Sequence, residues 1–130
     1  MNYLDSSAII KLVFEEDESA GLETWLRLRN FESMVTSDLS LVEIFRTCRF
    51  KNISSIPSAG QLKNGIDRIP IATDIIELAS NLDPKELRSL DAIHIASALS
   101  IREDLEFFVV YDKRLKTAVT KSGLAIIAPE

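Results

Sequence analysis

With 130 residues, 46% of them hydrophobic and 27% charged, the chain has the size and composition of one globular domain over 1–130. No apolar run is long enough to cross a membrane and no signal-peptide pattern is present, so we expect a cytoplasmic protein without a membrane partner. A net charge of −5, from 15 basic and 20 acidic residues, argues against broad electrostatic capture of nucleic acid. The single cysteine, Cys48, permits neither an internal disulfide nor a cysteine-based zinc site.

The first half of the chain alternates short apolar runs with segments of helical periodicity. The pattern predicts a strand at 2–5, helices at 8–14 and 19–29, a strand at 32–37 and a helix at 38–50. Residues 52–58 mark a break, after which 59–65 form a short helix. Asp5 is therefore expected at the carboxyl end of a strand, and Glu43 near the start of a helix.

The second half repeats this alternation around an apolar helix at 89–101. Strands are predicted at 69–72, 106–111 and 124–128, and helices at 73–82, capped by Thr73, and at 113–121. Apolar residues, including Leu90, cover most of the circumference of the 89–101 helix, so we expect it to be buried. Strands alternating with helices predict an α/β sandwich around a mostly parallel sheet.

Four acidic residues are expected at one edge of this sheet. Asp5 and Asp112 each directly follow a strand, and ligands of parallel sheets bind beyond the carboxyl ends of the strands. Glu43 and Asp91 lie near the starts of helices that can face the same edge. The four carboxylates can therefore converge.

Two of these acids also have a simpler explanation in local helix structure. Ser89 can cap the 89–101 helix while Asp91 complements the positive helix N-terminus. Ser40-x-x-Glu43 matches a capping box, in which Glu43 does no more than reach back to the helix start.

Carboxylates crowded together repel one another, so a cluster of four persists if cations or protons share it. Oxygen ligands favour Mg²⁺ or Mn²⁺. Because the chain has no glycine-rich phosphate loop, such a metal suits hydrolysis of a phosphodiester by a metal-bound water. His94, the one histidine, is expected in the core or behind the metal ligands. Ser6 either hydrogen-bonds a metal-bound water or a phosphate oxygen, or only caps a helix.

Four segments together resemble the PIN-domain ribonucleases, specifically the VapC type of toxin from toxin–antitoxin pairs. They span the whole chain and read Tyr3-Leu4-Asp5-Ser6-Ser7, Ser40-Leu41-Val42-Glu43, Leu90-Asp91-Ala92-Ile93-His94-Ile95-Ala96 and Val110-Tyr111-Asp112. By position, Asp5 and Asp91 resemble the principal metal ligands of that family, and Glu43 and Asp112 complete its catalytic acidic cluster.

The resemblance implies a PIN-like three-layer α/β/α sandwich with a mostly parallel, about five-stranded central sheet. It also implies Mg²⁺ or Mn²⁺ dependence, an RNA substrate, a homodimer, and a cognate VapB-like antitoxin whose C-terminal segment occupies the active-site groove.

Basic residues that follow the acids are candidates for contact with RNA. Arg46 and Lys113 are expected near the groove and are taken as substrate-binding residues. A simpler role for Arg46 is an ion pair with Glu43 at the i, i+3 spacing.

Two other functions compete with this one. A catalytically silent PIN-like module that binds RNA or protein would share the fold, although the presence of all four acids argues against lost activity. A receiver-type phosphoacceptor also uses acids at strand ends. It fits poorly, because Asn2-Tyr3-Leu4 precedes Asp5 where an acidic pair is needed, and Lys113 directly follows an acid.

Overall fold

The computed structural model describes every residue from Met1 to Glu130. Five strands form one sheet: β1 (Asn2–Leu4), β2 (Met34–Ser37), β3 (Asp67–Ile69), β4 (Phe107–Val109) and β5 (Ile126–Ile127). Their order is β3-β2-β1-β4-β5, and all neighbours are parallel. Parallel strands need crossover connections, which the helices supply.

Seven α-helices connect the strands. They are α1 (Ser6–Val13), α2 (Ser19–Arg27), α3 (Asp38–Lys51), α4 (Ile56–Lys63), α5 (Thr73–Ser80), α6 (Ser89–Ser100) and α7 (Lys113–Lys121), with a 3₁₀ turn at Ile53–Ser55. None of them is long and apolar enough to cross a membrane.

The sheet is covered on both faces by separate apolar clusters. Successive side chains of a strand point to opposite faces. Leu4, Met34 and Val109 pack against α1 to α4, whereas Tyr3 and Phe108 pack against α6 and α7. Helix α5 packs on α6. This arrangement confirms the predicted three-layer α/β/α sandwich and its parallel sheet.

The central helix α6 is buried along most of its length, as expected from its apolar sequence. Leu90 is the exception, being 51% exposed in the first turn beside the exposed Arg88 and Ser89. Apolar content alone predicts burial of the helix, but it does not show that the first turn extends beyond its neighbours.

The strand predicted at 69–72 is wrong in position, because the chain pairs with β2 from Asp67 to Ile69, starting two residues before the predicted strand. Two physical features explain the shift. Pro70 has no N–H group to donate to a ladder. The edge strand also carries exposed charges on Asp67 and Arg68, which hide the apolar pattern of a strand. The break predicted before residue 59 is likewise too long, since Pro57 fits in the first turn of α4.

The start of α1 and the cap of α3 differ from those predicted. Helix α1 begins at Ser6, and its cap is Asp5. Helix α3 is capped by Ser37, whose hydroxyl accepts from the Leu39 N–H at 3.1 Å. The predicted capping box of Ser40 and Glu43 is therefore wrong, and the Glu43 carboxylate is left for another partner.

The caps predicted for α5 and α6 are also wrong. The N-cap positions are Ala72 for α5 and Arg88 for α6, and neither side chain makes a capping hydrogen bond. Ser89 is thus the first residue within α6, beside Leu90 and Asp91 in the first turn.

Candidate active site

A cavity of about 300 Å³ lies beyond the carboxyl ends of β1 and β4. In the sheet Leu4 lies beside Val109, so the chain segments that follow these two strands leave the sheet at the same edge. All four predicted acids line the cavity, each from a different element: Asp5 after β1, Glu43 on α3, Asp91 on α6 and Asp112 before α7. The polar residues that line it with them are Ser6, Ser7, Arg88, Ser89, His94 and Arg114.

Asp5 is the most deeply placed of the four acids, with only 3% of its surface exposed. Its Oδ1 accepts from the Ala8 N–H at 3.0 Å, and the Ser7 hydroxyl donates to it from 2.8 Å. Burial nevertheless raises the pKa of the Asp5 carboxyl from 3.8 to about 6, and the charge of Glu43 adds to the rise. His94 and the two hydrogen bonds act in the opposite direction.

Glu43 is held by a hydrogen-bonded chain that begins in the sheet. Its Oε1 lies 2.9 Å from Nε2 of His94, whose Nδ1 lies 2.7 Å from the hydroxyl of Tyr3. Burial, followed by the charge of Asp5, raises the pKa of Tyr3 well above its usual value, so the phenol keeps its proton. In the neutral imidazole Tyr3 then donates to Nδ1, and the Nε2–H group donates to Glu43.

Asp91 and Asp112 are also engaged by neighbouring groups. Oδ2 of Asp91 lies 3.2 Å from Nε of Arg114, and the Asp91 side chain is 13% exposed. Asp112 is more exposed and caps α7, with its Oδ1 accepting from the Leu115 N–H at 2.8 Å. Asp91 therefore takes part in an ion pair and not only in the local helix effect that was its alternative explanation.

As these side chains stand, no three acidic, histidine or cysteine groups are close enough together to hold a metal ion. Each of the four acids is instead directed to a protein donor: Asp5 to Ser7, Glu43 to His94, Asp91 to Arg114 and Asp112 to the Leu115 N–H. The donor set itself consists of carboxylate oxygens, which suit Mg²⁺ and Mn²⁺. A cation at Oδ2 of Asp91 would have to compete with the guanidinium of Arg114.

The three residues predicted to bind substrate are placed differently. Ser6 lines the acidic cavity, as expected, but Ser7 is the serine that contacts Asp5. Lys113 does not line this cavity, whereas the next residue, Arg114, does. One residue corresponds to about 100° of rotation around a helix, so the choice between two adjacent cations cannot be made without the orientation of α7.

Arg46 lies away from the acidic cavity. It lines a separate one with Leu41, Val42 and Phe45 on α3. The predicted ion pair between Arg46 and Glu43 is wrong, because Glu43 bonds to His94.

The sequence gives a partial signal for the residues that were missed. His94 was expected behind the metal ligands, and its contact with Glu43 agrees with that expectation. Its bond to Tyr3, 91 positions away, joins two motifs whose spacing does not reveal their contact.

Comparison with known proteins agrees with this geometry. The sequence profile of the PIN domain matches residues 3–120. Ribonuclease VapC47 of Mycobacterium tuberculosis is 38% identical over 99% of this chain and 97% of its own length. The chain belongs to the VapC group of the PIN-domain family. Ribonuclease VapC46 of Mycobacterium tuberculosis is 39% identical to it over 98% of this chain and 96% of that protein.

Solved structures share this PIN fold at much lower sequence identity. A toxin–antitoxin complex from Klebsiella pneumoniae contains a chain with a TM-score of 0.74 and 17% identity, covering 100% of this chain and 98% of that one. Mycobacterium tuberculosis VapC20, described as a sarcin–ricin loop cleaving toxin, has a TM-score of 0.73 and 16% identity, with coverage of 99% and 100%. These likenesses confirm the fold of this PIN-domain chain.

The raised pKa of Asp5 predicts that the metal-free protein loses stability as the pH rises. Between pH 3.8 and about 6 the folded state holds a proton that the unfolded state has released, so the free energy of unfolding falls across this window. The loss attributable to Asp5 is up to about 3 kcal/mol, at about 1.4 kcal/mol per pKa unit. Asp5→Asn keeps an oxygen for the Ala8 N–H and should abolish this loss.

Urea unfolding in EDTA from pH 4 to 8 measures the effect. The stability difference between the parent and Asp5→Asn should grow with pH in favour of the variant. Asp17→Asn, which changes an exposed loop carboxylate, is the control and should follow the parent. A difference in the free energy of unfolding between the parent and Asp5→Asn that does not vary with pH would contradict the raised pKa of Asp5.

The Tyr3–His94 hydrogen bond predicts energetic coupling between β1 and α6. Tyr3→Phe and His94→Leu each leave a buried polar group without its partner, so each should lower the free energy of unfolding by about 1–3 kcal/mol. The double variant should be more stable than the sum of the two losses implies, with a coupling energy of about 1 kcal/mol. Urea unfolding of the four proteins measures the cycle, and strictly additive losses would show that the bond contributes nothing.

Proposed function

We propose that this chain is a single-domain, metal-dependent endoribonuclease that hydrolyses phosphodiester bonds of RNA. One observation carries the proposal: acids from four separate elements line one cavity at the carboxyl edge of the sheet. The names of VapC47 and VapC46 as ribonucleases support the reaction class. An all-carboxylate donor set favours a hard divalent cation as the cofactor.

Asp5 and Asp91 are the proposed principal ligands of Mg²⁺ or Mn²⁺, with Glu43 and Asp112 completing the site. When bound, the cation would activate a water molecule and stabilise the negative charge on the scissile phosphate. A cation would also relieve the electrostatic cost of ionised Asp5, whose charge burial disfavours. The acids differ in exposure, since Asp5 is buried at the end of β1 while Asp112 is exposed.

Apart from the four acids, the chain offers no credible protein nucleophile or general base at this cavity. Both ring nitrogens of His94 are bonded to protein groups, and its exposed fraction is 2%. Cys48 is fully buried in the apolar cluster on the far side of the sheet from His94. The Ser7 hydroxyl donates a hydrogen bond to Asp5. Water is therefore the proposed attacking group, and the 3′ oxygen of the RNA the leaving group.

We further propose a cognate VapB-like antitoxin and a homodimer. Similar folds occur in a toxin–antitoxin complex from Klebsiella pneumoniae and in VapBC2 of Rickettsia felis, which supports such an antitoxin. The chain also has exposed apolar side chains that a partner can cover. Val42 and Phe50 on α3 are 62% and 90% exposed, and Ile76 on α5 is 52% exposed.

A catalytically silent RNA- or protein-binding module is the second candidate. It is favoured by the fact that no three acids are close enough together to hold a metal. Metal binding and RNA cleavage, measured separately, decide between the two.

Binding of Mn²⁺ should depend on Asp5 and Asp91. Asparagine supplies a neutral and weaker oxygen ligand than aspartate. Asp5→Asn and Asp91→Asn should therefore each lower the Mn²⁺ affinity at least about tenfold, which is the lower end of the range for changes to groups around a bound metal. Isothermal titration calorimetry measures the affinity, with Asp17→Asn as the matched control that should bind as the parent does. Unchanged affinity in both folded variants would remove these residues from the site.

Purified free of any antitoxin, the protein should cleave RNA and leave a 5′-phosphate and a 3′-hydroxyl. Attack by the 2′-hydroxyl of the RNA would leave a cyclic phosphate, so end-group analysis separates the two reactions. EDTA should abolish cleavage, and Asp5→Ala should lower the rate by at least roughly a hundredfold, or about 2.7 kcal/mol. The net charge of −5 gives little nonspecific attraction to RNA, so few RNAs should be cut. Cleavage of every RNA tested, persisting in EDTA and in Asp5→Ala, would refute the proposal.

A further inference from the structure

A second cavity, of about 320 Å³, lies beside the acidic one. It is formed by the segment that leads into α6, together with the side of α7. Arg88, Asp91 and Arg114 line both cavities, so the two adjoin along these side chains. A chain that enters the acidic cavity can therefore continue into the second one.

The charge of the second cavity differs from that of the first. Three cations line it, Arg88, Arg114 and Lys121, against two anions, Glu86 and Asp91. Asp91 and Arg114 form an ion pair with each other, whereas Arg88 and Lys121 form none. The cavity thus presents two unpaired cations and one further anion, Glu86, in a chain whose net charge is −5.

The remaining lining matches a flexible, partly apolar ligand. Leu87 and Ala118 are half-buried and supply an apolar surface between the cations. The volume is at the lower end of ligand cavities, about 300–1,000 Å³, so it suits a single unit of an extended strand more than a folded helix. Arginine and lysine are the side chains that bind phosphate oxygens best.

We propose that this second cavity binds the RNA nucleotide adjoining the scissile phosphate, with Arg88 and Lys121 contacting its phosphate group. The proposal rests on the proposed ribonuclease function, because it is the continuity with the acidic cavity that identifies the occupant as RNA. The Asp91–Arg114 pair lies at the boundary. It connects the residue proposed to bind the metal with the surface proposed to bind the neighbouring nucleotide.

The test measures binding separately from cleavage. In an Asp5→Asn background, fluorescence anisotropy with a labelled random-sequence RNA hexamer compares the parent, Arg88→Ala/Lys121→Ala and Arg88→Lys/Lys121→Arg. The alanine pair should weaken binding roughly tenfold. It should also reduce the slope of log affinity against log salt by about 0.7, since the two cations are proposed to neutralise one phosphate and each neutralised phosphate of a single strand contributes about 0.7. The charge-preserving pair should bind within about threefold of the parent.

Two controls show whether the effect is local. Arg49→Ala/Arg102→Ala removes two exposed cations that line neither cavity, and it should leave the affinity and the salt slope unchanged. Calorimetry with Mn²⁺ on Lys121→Ala, with Asp5 intact, should give the parental affinity, because Lys121 does not line the acidic cavity.

The outcomes separate this proposal from the ribonuclease function. If the Asp5-containing parent cleaves RNA but the alanine pair binds the hexamer as the parent does, the cavity proposal is overturned and the ribonuclease function stands. If the alanine pair loses binding but the parent cleaves no RNA, the cavity proposal is supported and the reaction is not. The RNA assignment is overturned if the parent binds no hexamer. It is also overturned if Arg88→Ala/Lys121→Ala weakens the binding of poly-L-glutamate but not the binding of the hexamer.

Discussion

A carboxylate fixed at the end of the central strand is the constraint on which the site depends. Asp5 follows β1, which is the middle strand of the sheet, and the turn into α1 begins directly after it. Its side chain must therefore satisfy two demands at once: it caps α1, and it directs an anionic group into the cavity. Burial opposes the second demand by disfavouring the charged form, and the helix N-terminus and the Ser7 hydroxyl only partly offset that cost. Such a group is poised to gain a cation.

The buried polar chain from Tyr3 to Glu43 shows how the fold extends this constraint across its layers. Tyr3 belongs to the sheet, His94 to the buried helix α6, and Glu43 to α3. Tyr3 and His94 are almost fully buried, so each has little freedom to choose another partner. Glu43 is 30% exposed, and its carboxylate thus reaches the cavity while its orientation is set from within the core. The packed layers thus position the groups on which the proposed chemistry depends.

Much of this arrangement could be predicted from the sequence, because the strongest signals are those of burial. The apolar run at 107–110 and the alternation of strands with helices are sufficient for the parallel sheet, and the sheet is sufficient to place Asp5 and Asp112 at one edge. Local choices were less predictable. The edge strand β3 carries charged side chains, so its position was missed, and Ser37 competes with Ser40 for the cap of α3. Which of two adjacent cations faces the cavity depends on the rotation of α7, and the sequence does not encode that rotation in a local pattern.

The distribution of charge in the molecule also matters more than the net charge that the sequence provides. A net charge of −5 argues against nucleic-acid binding only if charge is spread evenly, and here it is not. Four of the acids line one cavity, where a bound cation would reduce the repulsion among their negative charges. Two unpaired cations, Arg88 and Lys121, line the adjoining cavity. Over distances beyond about 10 Å at 0.1 M salt the remaining charges are screened, so a strand of RNA responds mainly to the charges it touches. An acidic protein can therefore bind a phosphodiester through local contacts while attracting RNA only weakly in a nonspecific way. Under the proposed function, selectivity would arise from weak long-range attraction combined with a short path of specific contacts.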